Sequence, residues 1–153
     1  MKNIELSEIK ENEALKAWRV QKKCFKALYK KYRDKGSPYK NSFHLFRNII
    51  KSRKVKTYWI ICEGEKVGEI FVCEKDEKNY LARIFVLPDF QNRGIAQAAI
   101  KKVEEIYSEN PRWALDTIKQ EEKNCRLYEK LGYRRTGEEK AVNDKTTIVY
   151  YEK

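Results

Sequence analysis

A strand, a helix and a second strand follow one another in the middle of the chain, and this order constrains the fold more than any other feature. β-forming residues occupy positions 80–86 and 113–117, and between them apolar residues recur at helical spacing after Gly94. A unit of this kind predicts two parallel strands joined by a right-handed crossover. We therefore predict a sheet that contains a parallel pair, with a helix packed on one face.

The elements around this unit complete the predicted order. Upstream we predict a strand, two helices and a hairpin of two strands, at 4–9, 13–36, 43–54, 58–62 and 67–73. Downstream we predict a helix and two strands, at 121–131, 133–137 and 146–151, with Gly132 ending the helix. The prediction is an α/β (α+β) fold with a mixed, mostly antiparallel sheet of about seven strands and about four helices, ordered β-α-α-β-β-β-α-β-α-β-β.

Apolar residues at helical spacing define the buried faces of two predicted helices. With Asn12 as its N-cap, the first helix has the apolar residues Leu15, Trp18, Phe25, Leu28, Tyr29 and Tyr32 on one face. The helix after Gly94 has Ile95, Ala98, Ala99, Val103 and Ile106. Lysines lie largely on the other faces, so we expect both helices to pack on the sheet.

Length and composition favour one domain over residues 1–153. The apolar runs are only a few residues long, so we expect neither a transmembrane span nor a signal peptide. The four cysteines have no CxxC spacing, and the one histidine, His44, has no metal-ligand neighbours. We therefore expect no metal site, reduced thiols, and a cytoplasmic protein that is a monomer or a homodimer.

Basic residues are concentrated in the first third of the chain. The 34 Lys and Arg outnumber the 23 Asp and Glu, which gives a formal net charge of +11. Residues 1–56 hold 17 basic and 5 acidic side chains, whereas residues 57–153 hold 17 and 18. This excess is compatible with an anionic partner. Because no recognised nucleic-acid motif is present, we do not expect that partner to be nucleic acid.

The segment that joins the strand to the helix after Gly94 has the features of an anion site. A helix N-terminus has about four backbone N–H groups without partners and carries a partial positive charge, so it can bind a phosphate. Gly94 would let a ligand approach the backbone, and Ala96 is too small to block it. The segment contains neither a Gly-Lys-Ser/Thr loop nor a GxGxxG pattern. The alternative is an ordinary strand-to-helix connection.

Two segments carry a resemblance to a known family. Residues 83–96, RIFVLPDFQNRGIA, resemble the acyl-CoA-binding motif of the GNAT superfamily of N-acetyltransferases, in which Gln/Arg-x-x-Gly-x-Gly/Ala follows a strand ending in Val-x-Pro. Residues 124–133, NCRLYEKLGY, resemble the second motif, which ends in Leu-Tyr-Glu-Lys-x-Gly-Phe/Tyr. The resemblance covers residues 57–140 and implies a protein that binds acetyl-CoA.

The resemblance assigns most contacts with acetyl-CoA to the first motif. It implies that the fourth strand splays from the fifth and that the backbone of Ile84, Phe85 and Val86 bonds to the pantetheine arm. It implies that backbone amides hold the pyrophosphate, namely those of Asn92, Arg93, Gly94, Ile95, Ala96 and Gln97. The side chains of Gln91 and Arg93 would add contacts, although Arg93 could equally face solvent.

Tyr128 matches the tyrosine that the family places beside the CoA sulfur. Because its reference pKa of about 10 exceeds the roughly 8.5 of a thiol, complete proton transfer would be uphill by about 2 kcal/mol. We therefore expect a hydrogen-bond donor first and a general acid second. Asn124 lies one helical turn earlier and would bond to the pantetheine amides. The family's usual asparagine lies seven residues before the tyrosine, where this chain has Glu121.

The residue that would act as general base is unassigned. No acidic residue lies in 79–86, where many relatives place a carboxylate. Glu69, Asp116 and Glu122 are candidates, and each could instead be a structural or solvated carboxylate. His44 could titrate near neutral pH, but it is expected at the surface.

These observations predict an enzyme that transfers the acetyl group of acetyl-CoA directly to a primary amine in a ternary complex. A backbone N–H near Val86 would stabilise the oxyanion. The alternative is a non-catalytic basic module that binds nucleic acid or another anionic partner. Acceptors in the family range from antibiotics and polyamines to proteins, so the resemblance selects none. Our hypothesis is that the basic first third favours neutral or acidic acceptors over polyamines, the alternative being a merely solvated lysine-rich face.

Overall fold

The computed structural model describes residues 3–153, in which the elements follow the predicted order. The strands are β1 (Ile4–Glu8), β2 (Lys56–Cys62), β3 (Glu65–Lys75), β4 (Lys78–Val86), β5 (Trp113–Ile118), β6 (Arg134–Asn143) and β7 (Thr146–Glu152). The helices are α1 (Ala14–Tyr32), α2 (Phe43–Ser52), α3 (Ile95–Ile106) and α4 (Glu122–Lys130). The predicted fold class, a mixed sheet of seven strands with four helices, is confirmed.

The strands of residues 3–153 form one sheet in the order β1-β2-β3-β4-β5-β7-β6. β1 to β4 are antiparallel neighbours, and β5, β7 and β6 are antiparallel as well. β4 pairs with β5 in parallel, as the strand-helix-strand unit predicts. The strand order places this parallel pair at the centre of the sheet, and α3 connects its two strands.

The helices cover the two faces of the sheet. On one face, α3 and α4 pack on the larger core, to which they contribute Ile95, Ala99, Ile100, Val103, Cys125 and Tyr128. On the other face, α1 and α2 pack on a smaller core with Ala14, Ala17, Phe46, Ile50, Trp59, Phe71 and Phe85. None of the helices in residues 3–153 is long and apolar enough to cross a membrane.

The predicted buried faces are wrong at two positions. Leu15 is 43% exposed, because the small residues Ala14 and Ala17 are the ones that face the sheet and let α1 approach it closely. Ile106, in the last turn of α3, is 52% exposed, and Ile100 takes its place in the core.

Several predicted boundaries also differ from the structure. α1 begins at Ala14 rather than directly after Asn12, because a 3-10 turn at Glu11–Glu13 precedes it. It ends at Tyr32, well before Gly36, because Arg33 takes the left-handed conformation that closes the helix. Strand β6 is longer than predicted, since it pairs with β7 along this edge of the sheet.

Candidate functional site

β4 and β5 separate soon after they begin. They pair only at Asn79 with Trp113 and at Tyr80 with Ala114, although β4 continues to Val86. Beyond Tyr80, this edge of β4 therefore has no ladder partner on β5. We call the gap between residues 81–86 of β4 and the second half of β5 the fork. An extended ligand can bond to such an edge as an added strand does.

The N-terminus of α3 follows the open end of the fork. Gly94 is its N-cap, with a φ of +78°, and no side chain of residues 3–153 caps the helix. The first helical hydrogen bond runs from Ala98 N to Gly94 O at 3.1 Å, so the amides of residues 95–97 have no helical carbonyl partner. These amides and the positive end of the helix dipole form a place where a phosphate group can bind.

The loop before α3 is stabilised by its own side chains. The side-chain amide of Gln91 donates to the Val86 carbonyl at 2.9 Å, which holds the loop against the end of β4. The Arg93 guanidinium lies 5.3 Å from the centre of the Phe90 ring. Arg93 is exposed and has no carboxylate partner within residues 3–153, so it can turn toward an anion. The side-chain amide of Gln91, by contrast, already donates a hydrogen bond within the protein.

Tyr128 is buried on α4, between Tyr133 and Tyr151, whose ring centres lie 6.1 and 6.2 Å away. Within residues 3–153 its hydroxyl has no hydrogen-bond partner, whereas Tyr133 donates to Glu104 and Tyr151 to Glu129. Burial, with a further contribution from the Asp116 carboxylate, raises the pKa of Tyr128. The phenol therefore stays protonated and can donate a hydrogen bond to a ligand.

The two polar residues before Tyr128 have different environments. Asn124 is half-buried, and its side chain makes no hydrogen bond within the described residues 3–153, so it is available to a ligand. Glu121 accepts a hydrogen bond from the Tyr32 hydroxyl at 2.5 Å and forms an ion pair with Lys31 at 3.1 Å. The residue at the family's asparagine position thus joins the end of α1 to the start of α4.

Two of the candidate general bases are exposed and have their partners within their own helices. Glu122 lies 3.8 Å from Arg126, one turn along α4. His44 lies on α2, where it hydrogen-bonds with Asn48 at 3.3 Å. Within residues 3–153 neither side chain forms a hydrogen bond or ion pair with Tyr128 or with residues of the fork, so the described contacts give them no catalytic position.

Asp116 lies on β5 beside the fork. It is exposed, and it accepts a hydrogen bond from the Tyr80 hydroxyl of β4. Asp116 is a candidate base from the sequence, but Tyr80 is not a candidate of any kind, because the contact between them depends on how β4 and β5 are aligned. Only a prediction of that parallel register, which pairs Tyr80 with Ala114, could have found it.

Glu69 on β3 is a buried acid under α1. Its exposed fraction is 0%, and neither carboxylate oxygen has a hydrogen-bond partner within residues 3–153. Burial raises the pKa of Glu69 well above its usual value, and the Arg83 guanidinium offsets this only in part. Arg83 instead donates to Gln21 at 2.8 Å and to Asn41 at 2.9 Å. Glu69 is therefore a stability liability rather than an accessible base.

We expect Glu69→Gln to stabilise the protein at alkaline pH. A pKa that is raised on folding costs stability as the pH rises from the unfolded toward the folded value, by about 1.4 kcal/mol per unit of difference. Glutamine has the same shape and does not ionise, so the midpoint of thermal unfolding should rise at about pH 8 and stay unchanged at about pH 4. Glu65→Gln, at an exposed position of the same strand, is the control. An equal shift at both pH values would contradict this account.

The sequence matches a family model described as an acetyltransferase (GNAT) domain over residues 54–135, which is more than half of the chain. This range includes the fork, the loop before α3, and Tyr128. No curated protein matches the sequence.

Solved acetyltransferases share the fold. The PaiA N-acetyltransferase from Thermoplasma acidophilum, solved with coenzyme A, is 15% identical, with a TM-score of 0.76 over 99% of both chains. A Salmonella typhimurium acetyltransferase that modifies the N-terminal serine of ribosomal protein L7/L12 is 15% identical, with a TM-score of 0.78 over 98% of this chain and 94% of that one. The microcin C7 self-immunity acetyltransferase MccE, solved with acetyl-CoA and AMP, is 17% identical, with a TM-score of 0.74 over 98% and 91%.

Proposed function

Because this chain belongs to the GNAT acetyltransferase family, we propose that it is an N-acetyltransferase that moves the acetyl group of acetyl-CoA to a primary amine in a ternary complex. The observation that carries the proposal is the fork, which lies directly before the uncapped N-terminus of α3. The fork suits an extended pantetheine arm, and the N-terminus of α3 suits a pyrophosphate. The two groups are neighbours in acetyl-CoA, as the fork and the helix N-terminus are in the protein. The coenzyme A and acetyl-CoA complexes of PaiA and MccE support the same ligand here.

The binding residues in this proposal are those of the fork and the loop. The open edge of β4 at Ile84, Phe85 and Val86 bonds to the pantetheine amides, with Asn124 contributing from α4. The amides of residues 92–97 hold the pyrophosphate. Arg93 is exposed and unpaired within residues 3–153, which suits a second contact with phosphate.

The reaction has three requirements: a neutral amine, a stabilised oxyanion and a stabilised leaving sulfur. The amine nitrogen must be neutral when it attacks the thioester carbonyl, so an ammonium substrate first loses one proton to solvent. A carbon–nitrogen bond then forms, the carbon–sulfur bond breaks, and a second proton passes to the sulfur to give the CoA thiol. A main-chain N–H near Val86 stabilises the oxyanion. Tyr128 hydrogen-bonds the departing sulfur, since its raised pKa favours donation over complete proton loss.

The charge of α1 bears on the acceptor. Residues 14–32 contain seven lysines and arginines and no acidic residue. The C-terminal end of α1 is joined to the start of α4 by the hydrogen bond from Tyr32 to Glu121. In this proposal the acceptor enters beside this basic helix. A positively charged surface of this kind repels a polycation and attracts an anion. The acceptor in this proposal is a primary amine on a carrier that is otherwise neutral or acidic.

Calorimetric titration with acetyl-CoA, followed by an amine panel with detection of released CoA thiol, tests both parts. We expect binding with a Kd on the order of micromolar. We also expect a kcat/KM at least about tenfold higher for the peptide Ser-Glu-Glu than for Ser-Lys-Lys or spermine, because only the acidic peptide is attracted by α1. No binding at millimolar acetyl-CoA would refute the enzyme, and efficient acetylation of spermine would refute the charge preference.

A further inference from the structure

Asp116 is an acidic side chain without a cationic partner in a strongly basic protein. The chain has 34 lysines and arginines, yet within residues 3–153 none of them forms an ion pair with this carboxylate. Its strand neighbour Leu115 is buried in the core beneath α3 and α4. Since successive strand residues face opposite sides, Asp116 faces the α1 side of the sheet. There it is exposed to solvent.

Tyr80 holds this carboxylate across the fork. Its hydroxyl donates to Oδ2 of Asp116, two residues beyond the point where Tyr80 pairs with Ala114. Burial, followed by the bond to Asp116, raises the pKa of Tyr80, so the phenol remains a neutral donor. One carboxylate oxygen is thereby fixed, and the other has no hydrogen-bond partner within residues 3–153. The bond thus orients Asp116 and leaves its second carboxylate oxygen free to bind a ligand.

A second tyrosine lies beside Asp116. Tyr150 is its partner residue on β7, so the two side chains lie on the same face of the sheet. Burial and then the Asp116 charge raise the pKa of Tyr150. A carboxylate beside aromatic rings is the combination that recognises an organic ammonium ion, through ion pairing and cation–π attraction.

We propose that Asp116 binds the ammonium group of the acceptor, with Tyr80 as its positioning residue. Aliphatic amines are cations at neutral pH, whereas aryl amines and alcohols are neutral and gain nothing from this carboxylate. The inference rests on the proposed function, because only an acetyltransferase would use the bound amine as an acceptor. It adds the residue that recognises the acceptor.

This site complements the charge of α1. A carrier with several cations is repelled by the basic helix, but a single ammonium group can reach the Asp116 carboxylate beside the fork. Asp116 therefore recognises the ammonium group of the acceptor, while the positive charge of α1 disfavours further cations on the same molecule.

Binding can be measured without turnover by 19F NMR line broadening of 4-fluorobenzylamine, with 4-fluorobenzyl alcohol as the neutral probe of equal size. In the presence of CoA, we expect the wild-type protein to bind the ammonium probe at least about tenfold more tightly than the alcohol, as a charge-assisted contact requires. Asp116→Asn should abolish that difference, and Tyr80→Phe should reduce it. Asp76→Asn removes the same charge from the exposed turn between β3 and β4 and should change nothing.

Equal binding of the two probes, or an unchanged preference in Asp116→Asn, would overturn the proposal. The same loss in Asp76→Asn would show an effect of net charge and would also overturn it. Calorimetry with acetyl-CoA on the same proteins separates the two proposals. If acetyl-CoA does not bind but the ammonium preference depends on Asp116, the proposed function fails and the cation site stands.

Steady-state kinetics supply the second readout. With an aliphatic amine substrate, Asp116→Asn should raise the KM for the amine at least about tenfold and leave the Kd for acetyl-CoA within about twofold. Tyr80→Phe should raise the KM by a smaller factor, because the carboxylate keeps its charge but loses its orientation. A fall in acetyl-CoA affinity as large as the rise in KM would show that Asp116 serves the fold or the other ligand.

Discussion

Replacing Gly94 with glutamate is expected to weaken acetyl-CoA binding by about 100-fold or more, while the protein remains folded. The new carboxylate would lie at the N-terminus of α3, where the pyrophosphate is proposed to bind. Two like charges about 4 to 5 Å apart near a protein surface repel by about 3 to 4 kcal/mol, and each 1.4 kcal/mol is about tenfold in affinity. The carboxylate would also take up the free amides itself. Calorimetry measures the affinity, and thermal unfolding measures stability.

Gly64→Glu is the matched control. Gly64 has a φ of +84°, close to the +78° of Gly94, and beyond its chain neighbours a Cβ at either position would meet no atom of residues 3–153 within 4 Å. Both substitutions therefore carry a similar backbone strain, on the order of 1 to 2 kcal/mol, but Gly64 is in the turn between β2 and β3. Similar losses of stability with an affinity loss only at Gly94 would support the pyrophosphate site. Unchanged affinity in Gly94→Glu would exclude it.

The order of elements could be predicted because its signals are local. Ser42 caps α2 by accepting a hydrogen bond from Leu45 N at 3.1 Å, as its position before an apolar helix predicts. Gly132 takes a φ of +96° directly after α4, as a helix-ending glycine does. Each signal involves residues only a few positions apart, so the sequence alone carries it.

The buried polar residues could not be predicted, because their partners are distant in the sequence. Gln21 lies in a lysine-rich helix, yet its exposed fraction is 0%. It is buried because it bonds to Arg83 on β4 and to the carbonyl of Pro38. Glu69 is a candidate base in the sequence, and only its place beneath α1 shows that solvent cannot reach it.

The candidate site divides in the same way. Gly94 and Tyr128 lie in short motifs, so the sequence is enough to select them, although their roles stay predictions. The bond between Tyr80 and Asp116 joins residues 36 positions apart, across strands that pair for only two residues. A shift of one residue in that register would turn one of these side chains to the other face. Tyr80 therefore becomes visible only when the strands are aligned.

Tyr128→Phe is expected to lower kcat by about 10- to 100-fold, because a hydrogen bond to a developing thiolate contributes about 1.5 to 3 kcal/mol. The loss appears in kcat since the sulfur carries its charge only in the transition state. The affinity for acetyl-CoA should stay within about twofold of the wild type, because the phenyl ring keeps the packing against Tyr133 and Tyr151. Initial rates at saturating amine, with calorimetry for acetyl-CoA, measure the two quantities.

Tyr133→Phe separates this effect from a general loss of a buried hydroxyl. Burial raises the pKa of Tyr133 as it does that of Tyr128, but the Tyr133 hydroxyl already donates to Glu104 at 2.8 Å. Its removal should lower thermal stability and leave kcat unchanged, whereas Tyr128 gives up no hydrogen bond within residues 3–153 and should lose kcat with little change in stability. If the two variants lost kcat equally, the hydroxyl of Tyr128 would have no special part in hydrogen-bonding the sulfur, and its match to the family motif would reflect packing alone.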